Sequence, residues 1–299
     1  MYVTVKFKQL LALALGMAIL LAIAGAVWVG GYSAQTAAES EPDPGAPVVE
    51  QTPDGVPLPI LMYHDILKSR TGTYTISPQQ LEADFMYLKE NGYNTVVTGD
   101  IIAFAESGTP LPDNPIMLTF DDGYFNNIYY AEDLLKKYDM RAVMFVVGAF
   151  CEQAVAEGVE NPNYSYVLWE RIAQMSQGGV WDVQSHSWDM HKINARREGV
   201  RRKNSLDEQE HIKELLEDLT QISQKLEETT GKPTLAFAYP YGALDDHAEE
   251  LLKKVGYKIS VCSYGGVSKI IAGDPDSLFL LRRHARTNRK SAEFLLNQN

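Results

Sequence analysis

The sequence has few of the residues and motifs that form several common kinds of functional site. Only two of its 299 residues are cysteines, and Cys151 and Cys262 lie far apart without a Cys-x-x-Cys pair. They therefore cannot form a zinc site by themselves. The sequence does not decide whether they pair, and we favour two buried free thiols. No Gly-x-Gly-x-x-Gly motif follows a predicted strand, so a dinucleotide-binding fold has no support.

Positive charge is also scarce. The chain carries 27 Lys and Arg against 39 Asp and Glu, for a formal charge of −12. Because nucleic-acid binding depends on clustered basic residues, we expect no nucleic-acid partner and attribute the charge to solubility. The hydrophobic content of 45% is ordinary for a globular protein. The length fits one domain of roughly 200 to 250 residues plus appendages.

The N-terminus carries a long uncharged apolar run, residues 10–32, preceded by Lys6 and Lys8. At about 1.5 Å per residue such a run can cross a hydrocarbon core of about 30 Å. The two lysines favour a cytoplasmic N-terminus, with the remainder exported. Signal-peptide cores are usually shorter, about 7 to 15 residues, so we expect an uncleaved anchor in the cell membrane with the domain outside the cell. Cleavage followed by secretion is the alternative.

Composition divides the chain into three segments. Residues 1–32 form the predicted transmembrane anchor or signal peptide, residues 33–57 a linker rich in Pro, Glu and small residues, and residues 58–299 the folded domain. Predicted strands cover residues 59–63, 95–97, 116–120, 141–147, 180–184, 235–239, 258–262 and 278–282. Predicted helices cover residues 78–91, 101–104, 129–138, 167–177, 206–229 and 243–255, with a final helix after the last strand.

Alternating strands and helices indicate an α/β fold with a parallel sheet covered by helices on its outer side. With about seven strands, we expect a barrel-like closure rather than an open doubly wound sheet. In such a barrel the functional site lies at the C-terminal ends of the strands. Polar residues at those ends are therefore the candidates for chemistry.

The first polar strand end is Asp121-Asp122-Gly123, directly after the apolar strand 116–120. Two adjacent carboxylates at the end of a buried strand are costly unless a positive group holds them. Taken alone, the motif also fits an ordinary Asp-Gly turn.

The second polar strand end is the loop that carries His186 and His191. A pair of surface histidines would explain the loop equally well when it is taken alone. Together with a strand-end carboxylate, however, the two imidazoles supply the three N/N/O ligands of an open catalytic zinc site.

The third strand end is the turn Tyr239-Pro240-Tyr241-Gly242. It offers a backbone N–H beyond Pro240 and an aromatic wall at Tyr241. A plain turn with core aromatic residues is the alternative for this segment.

The combination of these motifs resembles carbohydrate esterase family 4, the NodB-homology polysaccharide deacetylases. Thr-Phe-Asp-Asp-Gly is followed about 65 residues later by a His-Ser-x-x-x-His loop and then by Tyr-Pro-Tyr-Gly, so the resemblance covers residues 59–286. The segment Pro-Ile-Leu-Met-Tyr-His at residues 59–64 is similar to the entry strand of the extracellular poly-N-acetylglucosamine deacetylase branch. The resemblance implies the distorted (β/α)7 barrel of that family.

The resemblance also implies the roles of five residues. Asp121 matches the general base, and Tyr241 matches the residue whose backbone N–H contributes to the oxyanion hole. The metal ligands implied are Asp122, His186 and His191. The metal implied is a divalent cation, with zinc expected and Co²⁺, Ni²⁺ or Fe²⁺ as alternatives.

The sequence departs from the family pattern at several positions. The two histidines are five residues apart, whereas the commoner family spacing is four. The poly-N-acetylglucosamine branch is similar in having the longer spacing. Many members carry an arginine that orients the catalytic aspartate where this chain has Ala238, and Arg282 or Arg283 could replace it. For the general acid, His284 is our candidate and His64 its rival. The residues that we expect to contact the substrate are His64, Tyr241 and Trp188.

The predicted activity is therefore metal-dependent hydrolysis of N-acetyl groups from an N-acetylglucosamine-containing polysaccharide, with release of acetate. Poly-N-acetylglucosamine, peptidoglycan glycans and chitin-like oligomers are the candidate substrates. Two alternatives stay open: an inactive carbohydrate-binding domain of the same fold, and a zinc-dependent O-acetyl esterase.

Overall fold

The computed structural model describes residues 55–69 and 72–298. The predicted anchor and nearly all of the predicted linker lie outside the described residues. Among the described residues, no helix is long and apolar enough to cross a membrane.

The described part of the chain alternates strands and helices, as predicted. Its strands are β1 Val56–Leu58, β2 Ile60–Tyr63, β3 Asp65–Ile66, β4 Thr75–Ile76, β5 Asn94–Thr95, β6 Pro115–Phe120, β7 Ala142–Val146, β8 Trp181–Ser185, β9 Arg197–Glu198, β10 Arg201–Arg202, β11 Ala236–Ala238, β12 Ile259–Val261, β13 Ser268–Ile270 and β14 His284–Ala285. Its helices are α1 Pro78–Glu90, α2 Thr98–Ser107, α3 Phe125–Tyr138, α4 Gly148–Glu157, α5 Trp169–Gln177, α6 Glu208–Thr230, α7 Ala248–Val255 and α8 Ala292–Leu296.

Seven strands form a curled parallel sheet in the order β12-β11-β8-β7-β6-β2-β14, and β5 pairs with the start of β6. The chain after α7 reaches both edges of this sheet. Leu281 forms a parallel bridge with Val261 of β12, while His284 pairs with Leu61 of β2. The sheet therefore curls towards a barrel, which fits the predicted distorted (β/α)7 architecture.

Two apolar layers cover the sheet. The interior is filled by residues such as Ile60, Met117 and Phe145, and the outer layer packs residues such as Leu61 and Phe120 against the helices. Because neighbouring residues of a strand point to opposite faces, this assignment fixes which side each strand-end residue faces. All residues of β6 and β7 are buried, as expected for strands covered on both faces.

Several element boundaries differ from the prediction. Helix α3 begins at Phe125 rather than at residue 129, and neither α4 nor the β9–β10 hairpin was predicted. The prediction of a strand at residues 278–282 was wrong. A 3₁₀ turn occupies Pro275–Leu278, the backbone of Leu280 has a positive φ of 57°, and the strand forms only at β14. A residue with that φ cannot continue extended backbone.

Candidate active site

A cavity of about 330 Å³ opens at the C-terminal ends of the parallel strands. It is lined by Met62, His64, Tyr74, Asp121, Asp122, His186, His191, Tyr239, Tyr241, Gly242, Ser263 and Arg283. The three strand ends that the sequence singled out thus meet in one place, together with residues from β2 and from the segment before β14.

Asp121 is held by a buried arginine. Arg283 donates from Nη1 to Oδ1 and from Nη2 to Oδ2 of Asp121, each at 2.7 Å. The same Nη1 lies 3.2 Å from the Thr119 hydroxyl, and Nε donates to the Cys262 carbonyl. Burial alone would raise the pKa of Asp121, but the charge and hydrogen bonds of Arg283, together with the nearby His186 and His64, outweigh it and hold the pKa below its ordinary value. Asp121 is therefore an ionised carboxylate in a fixed orientation.

Asp122 faces the two histidines instead. Its Oδ1 lies 3.1 Å from His191 Nε2 and 3.6 Å from His186 Nε2. Asp122 has a φ of 71°, a conformation that costs a non-glycine residue roughly 1–3 kcal/mol. This backbone turn separates its side chain from that of Asp121. Burial would raise the pKa of Asp122, but the neighbouring imidazoles hold it well below its ordinary range.

The tautomer of His186 can be read from its surroundings. Its Nδ1 lies 2.7 Å from the carbonyl oxygen of Ala238. Because a carbonyl only accepts hydrogen bonds, Nδ1 carries the proton and Nε2 presents a lone pair towards Asp122. Burial lowers the pKa of His186 to about 4, which keeps the imidazole neutral. A neutral imidazole is the form that binds metals.

These three side chains fit a divalent metal ion. Their ligand atoms all lie within 4.8 Å of one another. Ligands bonded at about 2.0 to 2.2 Å in a tetrahedral site lie roughly 3.4 Å apart, close to the separations from Asp122 Oδ1. That buried oxygen also has no hydrogen-bond partner among the described residues. An N/N/O set with one side open to a cavity is typical of catalytic sites.

The two candidates for the general acid lie in different surroundings. His64 lines the cavity with its side chain 21% exposed, its Nε2 is 4.0 Å from Asp121 Oδ2, and its ring is 5.1 Å from that of Tyr74. His284 is buried in β14 opposite Leu61, on the helix-covered face of the sheet, and it does not line the cavity. Burial lowers the pKa of His284.

The turn after β11 places Tyr241 at the cavity rim. Tyr241 has a φ of 58°, is 46% exposed, and its ring lies 4.4 Å from that of His191. A glycine suits the adjacent position 242, because its φ is 65° and an added Cβ would lie 1.8 Å from the Ser263 hydroxyl oxygen, so that Ser263 would have to move.

Trp188 does not line the cavity. Its ring packs on Gly148 and stacks with the ring of Trp169, with the two ring centroids 6.3 Å apart. Sequence reasoning in turn overlooked Tyr74 and Ser263, which belong to no motif, and did not decide between Arg282 and Arg283. Only strand alternation from β14 could have favoured Arg283.

Comparison with known proteins identifies the family. A family model described as polysaccharide deacetylase matches residues 108–260, just over half of the 299-residue chain. The chain belongs to the polysaccharide deacetylase family. The matched segment of this deacetylase domain contains Asp121, Asp122, His186, His191 and Tyr241 but neither His64 nor Arg283. The resemblance inferred from the motifs is confirmed.

Individual relatives of this deacetylase family member are distant. The chain is 27% identical over 201 residues to poly-beta-1,6-N-acetyl-D-glucosamine N-deacetylase of Escherichia coli K12, covering 61% of this chain and 30% of that protein. It is 24% identical over 186 residues to the enzyme of the same name from Staphylococcus aureus MRSA252, covering 62% of this chain and 60% of that protein. Each alignment thus spans less than two thirds of the relative.

A solved structure supports the fold. The de-N-acetylase from Aggregatibacter actinomycetemcomitans superposes with a TM-score of 0.70 at 24% identity, covering 81% of this chain and 99% of that one. At this identity the likeness establishes the architecture alone.

Proposed function

We propose that this domain is a metal-dependent N-deacetylase of an N-acetylglucosamine polymer. The observation that carries the proposal is that the adjacent carboxylates of Asp121 and Asp122 have different partners and therefore different chemistry. Arg283 holds Asp121 as an ionised, oriented base, while Asp122 joins two imidazoles in a ligand set. A deacetylase needs a base and a metal ion close to the acetamide carbonyl of its substrate. The base Asp121 and the candidate metal ligands line the same cavity.

Asp122, His186 and His191 would hold the divalent ion. When bound, such an ion would supply Lewis-acid polarisation of the acetamide carbonyl and lower the pKa of water. The identity of the ion is part of the proposal, with zinc first and Co²⁺, Ni²⁺ or Fe²⁺ as alternatives.

Asp121 would accept the proton of the attacking water. Each of its oxygens accepts one N–H of Arg283, and a carboxylate oxygen retains a further lone pair. The arginine fixes the plane of the carboxylate, so that this lone pair keeps its direction. The lowered pKa of Asp121 keeps it deprotonated at neutral pH.

His64 would donate the proton to the departing amine. A free amide anion is too basic to leave, so the reaction requires an acid at the nitrogen. His64 borders the cavity beside Asp121, whereas His284 faces the opposite side of the sheet. The geometry therefore favours His64 as the acid, and we propose it in place of His284. The backbone N–H of Tyr241 would stabilise the oxyanion, a contribution of about 3 kcal/mol for one such donor.

The substrate proposal rests on the relatives. Two of them are named for poly-beta-1,6-N-acetyl-D-glucosamine. The exposed rings of Tyr74 and Tyr241 line the cavity and offer surfaces on which sugar rings could stack. A peptidoglycan glycan is the second candidate. Arg283 holds Asp121, as an arginine at the position of Ala238 would. This contact weakens the case for an inactive sugar-binding domain.

The test is acetate release by the full-length protein with defined zinc content. The substrates are oligomers of β-1,6-linked N-acetylglucosamine, chitin oligomers, acetylated peptidoglycan fragments and an O-acetylated sugar. We expect the fastest release from the β-1,6-linked oligomers, and no release by His191→Ala protein. Release from the ester alone would support an esterase, and binding without release would support an inactive domain.

A further inference from the structure

A buried carboxylate lies beneath the loop that carries both histidines, which we call the histidine loop, residues 186–191. Asp218 projects from α6 and is 7% exposed. Its Oδ1 accepts the backbone N–H of Trp188 at 2.8 Å, and its Oδ2 accepts that of Asp189 at 2.7 Å. One side chain thus satisfies two consecutive amides midway between His186 and His191.

The other side of the histidine loop is held by α4. The N–H of Gly148 donates to the Ser187 carbonyl at 3.0 Å, and the N–H of Ala149 donates to the Trp188 carbonyl at 2.7 Å. The Trp188 ring packs on Gly148 so closely that an added Cβ would lie 2.3 Å from it. The loop is therefore fixed between two helices, with its carbonyls bonded to α4 and its amides to α6.

The loop needs this support because its backbone is strained. Ser187 has a φ of 108°, a backbone conformation that is unfavourable for a residue with a side chain. The Ser187 hydroxyl accepts the N–H of Met190 and tightens the turn. The result places the His186 and His191 ring centroids 5.0 Å apart. A relaxed loop would separate the two ring nitrogens that face Asp122.

We propose that Asp218 is a positioning residue of the metal site and that it sets metal affinity by fixing the histidine loop. This inference rests on the proposed function. A carboxylate suits this task because both of its oxygens accept. An asparagine would turn its NH₂ group towards one of the two N–H donors. Bonds to a charged acceptor are also shorter and stronger than neutral ones.

Burying this carboxylate is costly, which argues against an incidental role. Burial raises the pKa of Asp218 to about 6, against the opposing effect of the two backbone hydrogen bonds. The ionised side chain therefore lowers folding stability at neutral pH relative to an ordinary aspartate. Partners that orient metal ligands are typically worth about 10- to 100-fold in metal affinity.

The test compares Asp218→Asn with Glu217→Gln in the full-length protein. Glu217 is the adjacent acid on α6, with a side chain 65% exposed and paired only loosely with Lys213 at 3.7 Å. The readouts are the zinc dissociation constant by competition with a chromophoric chelator, the absorption spectrum of the Co²⁺-loaded protein, and the melting temperature without metal. We expect Asp218→Asn to weaken zinc binding at least 10-fold and to alter the Co²⁺ spectrum, while Glu217→Gln matches the wild type.

An Asp218→Asn protein with lowered melting temperature but wild-type zinc affinity and Co²⁺ spectrum would overturn the inference. If that variant does not fold, Asp218→Glu takes its place, since it keeps the charge but displaces the oxygens by one methylene. Unchanged zinc affinity in the folded Glu variant would also overturn the inference. These readouts need no substrate. A wild type that binds zinc yet releases no acetate would contradict the proposed function and leave the role of Asp218 standing.

Discussion

At the scale of single residues, the end of β6 shows how two identical side chains acquire different chemistry. Asp121 continues the strand alternation and points into the barrel, where Arg283 meets it. Asp122 departs from the strand through its positive φ and meets the imidazoles. The two neighbouring carboxylates therefore meet different partners at the same cavity.

The first prediction concerns the proton donor. His64→Gln should lower turnover on a β-1,6-linked N-acetylglucosamine oligomer by roughly 10²- to 10⁴-fold, the usual range for a positioned acid, with zinc content unchanged. His284→Gln, the matched control, should keep turnover within a few-fold, because its side chain lies on the helix-covered face. The reverse ranking of the two variants would return the acid role to His284.

The second prediction concerns Arg283. Removing one partner of a buried ion pair typically costs about 3–5 kcal/mol, so Arg283→Met should lower the free energy of unfolding by that amount and abolish turnover. Arg283→Lys should retain more stability but still lose turnover, because an ammonium cannot hold both carboxylate oxygens. Urea unfolding and acetate release measure the two effects. The matched control is Arg282→Met, because Arg282 is exposed. A larger loss of stability and turnover in Arg282→Met than in Arg283→Met would assign the orienting role to Arg282 instead.

At the scale of elements, sequence patterns succeed where local chemistry decides the structure. Helix α1 begins where Ser77 and Gln80 form a capping box, and β6 follows the apolar run before Asp121. Patterns fail where distant contacts decide. The last strand forms at β14 instead of residues 278–282 because the backbone turns at Leu280 and the chain then pairs with β2.

A third prediction concerns Asp245, which joins α6, β10 and the turn after β11. Its Oδ2 lies 3.1 Å from His211 Nε2 and accepts the N–H of Arg202, and its Oδ1 accepts the N–H of His247. Burial would raise the pKa of Asp245, but these partners outweigh it and hold the pKa below its ordinary value. A depressed carboxylate pKa stabilises the fold above the unfolded-state value, and this contribution is lost as pH falls through the folded-state value.

Asp245→Asn should therefore lower the free energy of unfolding by roughly 1–3 kcal/mol at pH 7. The difference from wild type should shrink as pH falls below about 4, the ordinary aspartate value. Urea unfolding at pH 7, 4 and 3 measures it, with the exposed Asp246→Asn as control. A difference that stays constant with pH would show that ionisation of Asp245 is not the cause.

At the scale of the whole molecule, barrel curvature assembles the site. Arg283 and Asp121 are 162 positions apart, and they meet because residues 281–285 contact both edges of the sheet. Motifs near β6, β8 and β11 could be predicted to converge, since parallel strands end at one side. The choice of Arg283 and the roles of Tyr74 and Asp218 depend on side-chain contacts across the barrel, which periodicity does not encode.

A fourth prediction concerns residues 10–32, outside the described residues. We propose that they anchor the protein in the cell membrane with the catalytic domain outside the cell. Full-length protein should fractionate with membranes and resist extraction by high salt, and protein starting at Gly55 should be soluble. Mature protein beginning near Ala34 or Ala37 and found free in the medium would instead show cleavage and secretion.

The most direct test of the proposed mechanism compares Asp121→Asn with Asp122→Asn, measuring zinc content and turnover on the same β-1,6-linked N-acetylglucosamine oligomer. Asp121→Asn should keep most of the zinc and lose roughly 10²- to 10⁴-fold in turnover, because a positioned base is removed. Asp122→Asn should lose zinc, and excess zinc should restore part of its turnover. Equal zinc loss in both variants, or near-normal turnover in Asp121→Asn, would contradict the division between base and ligand.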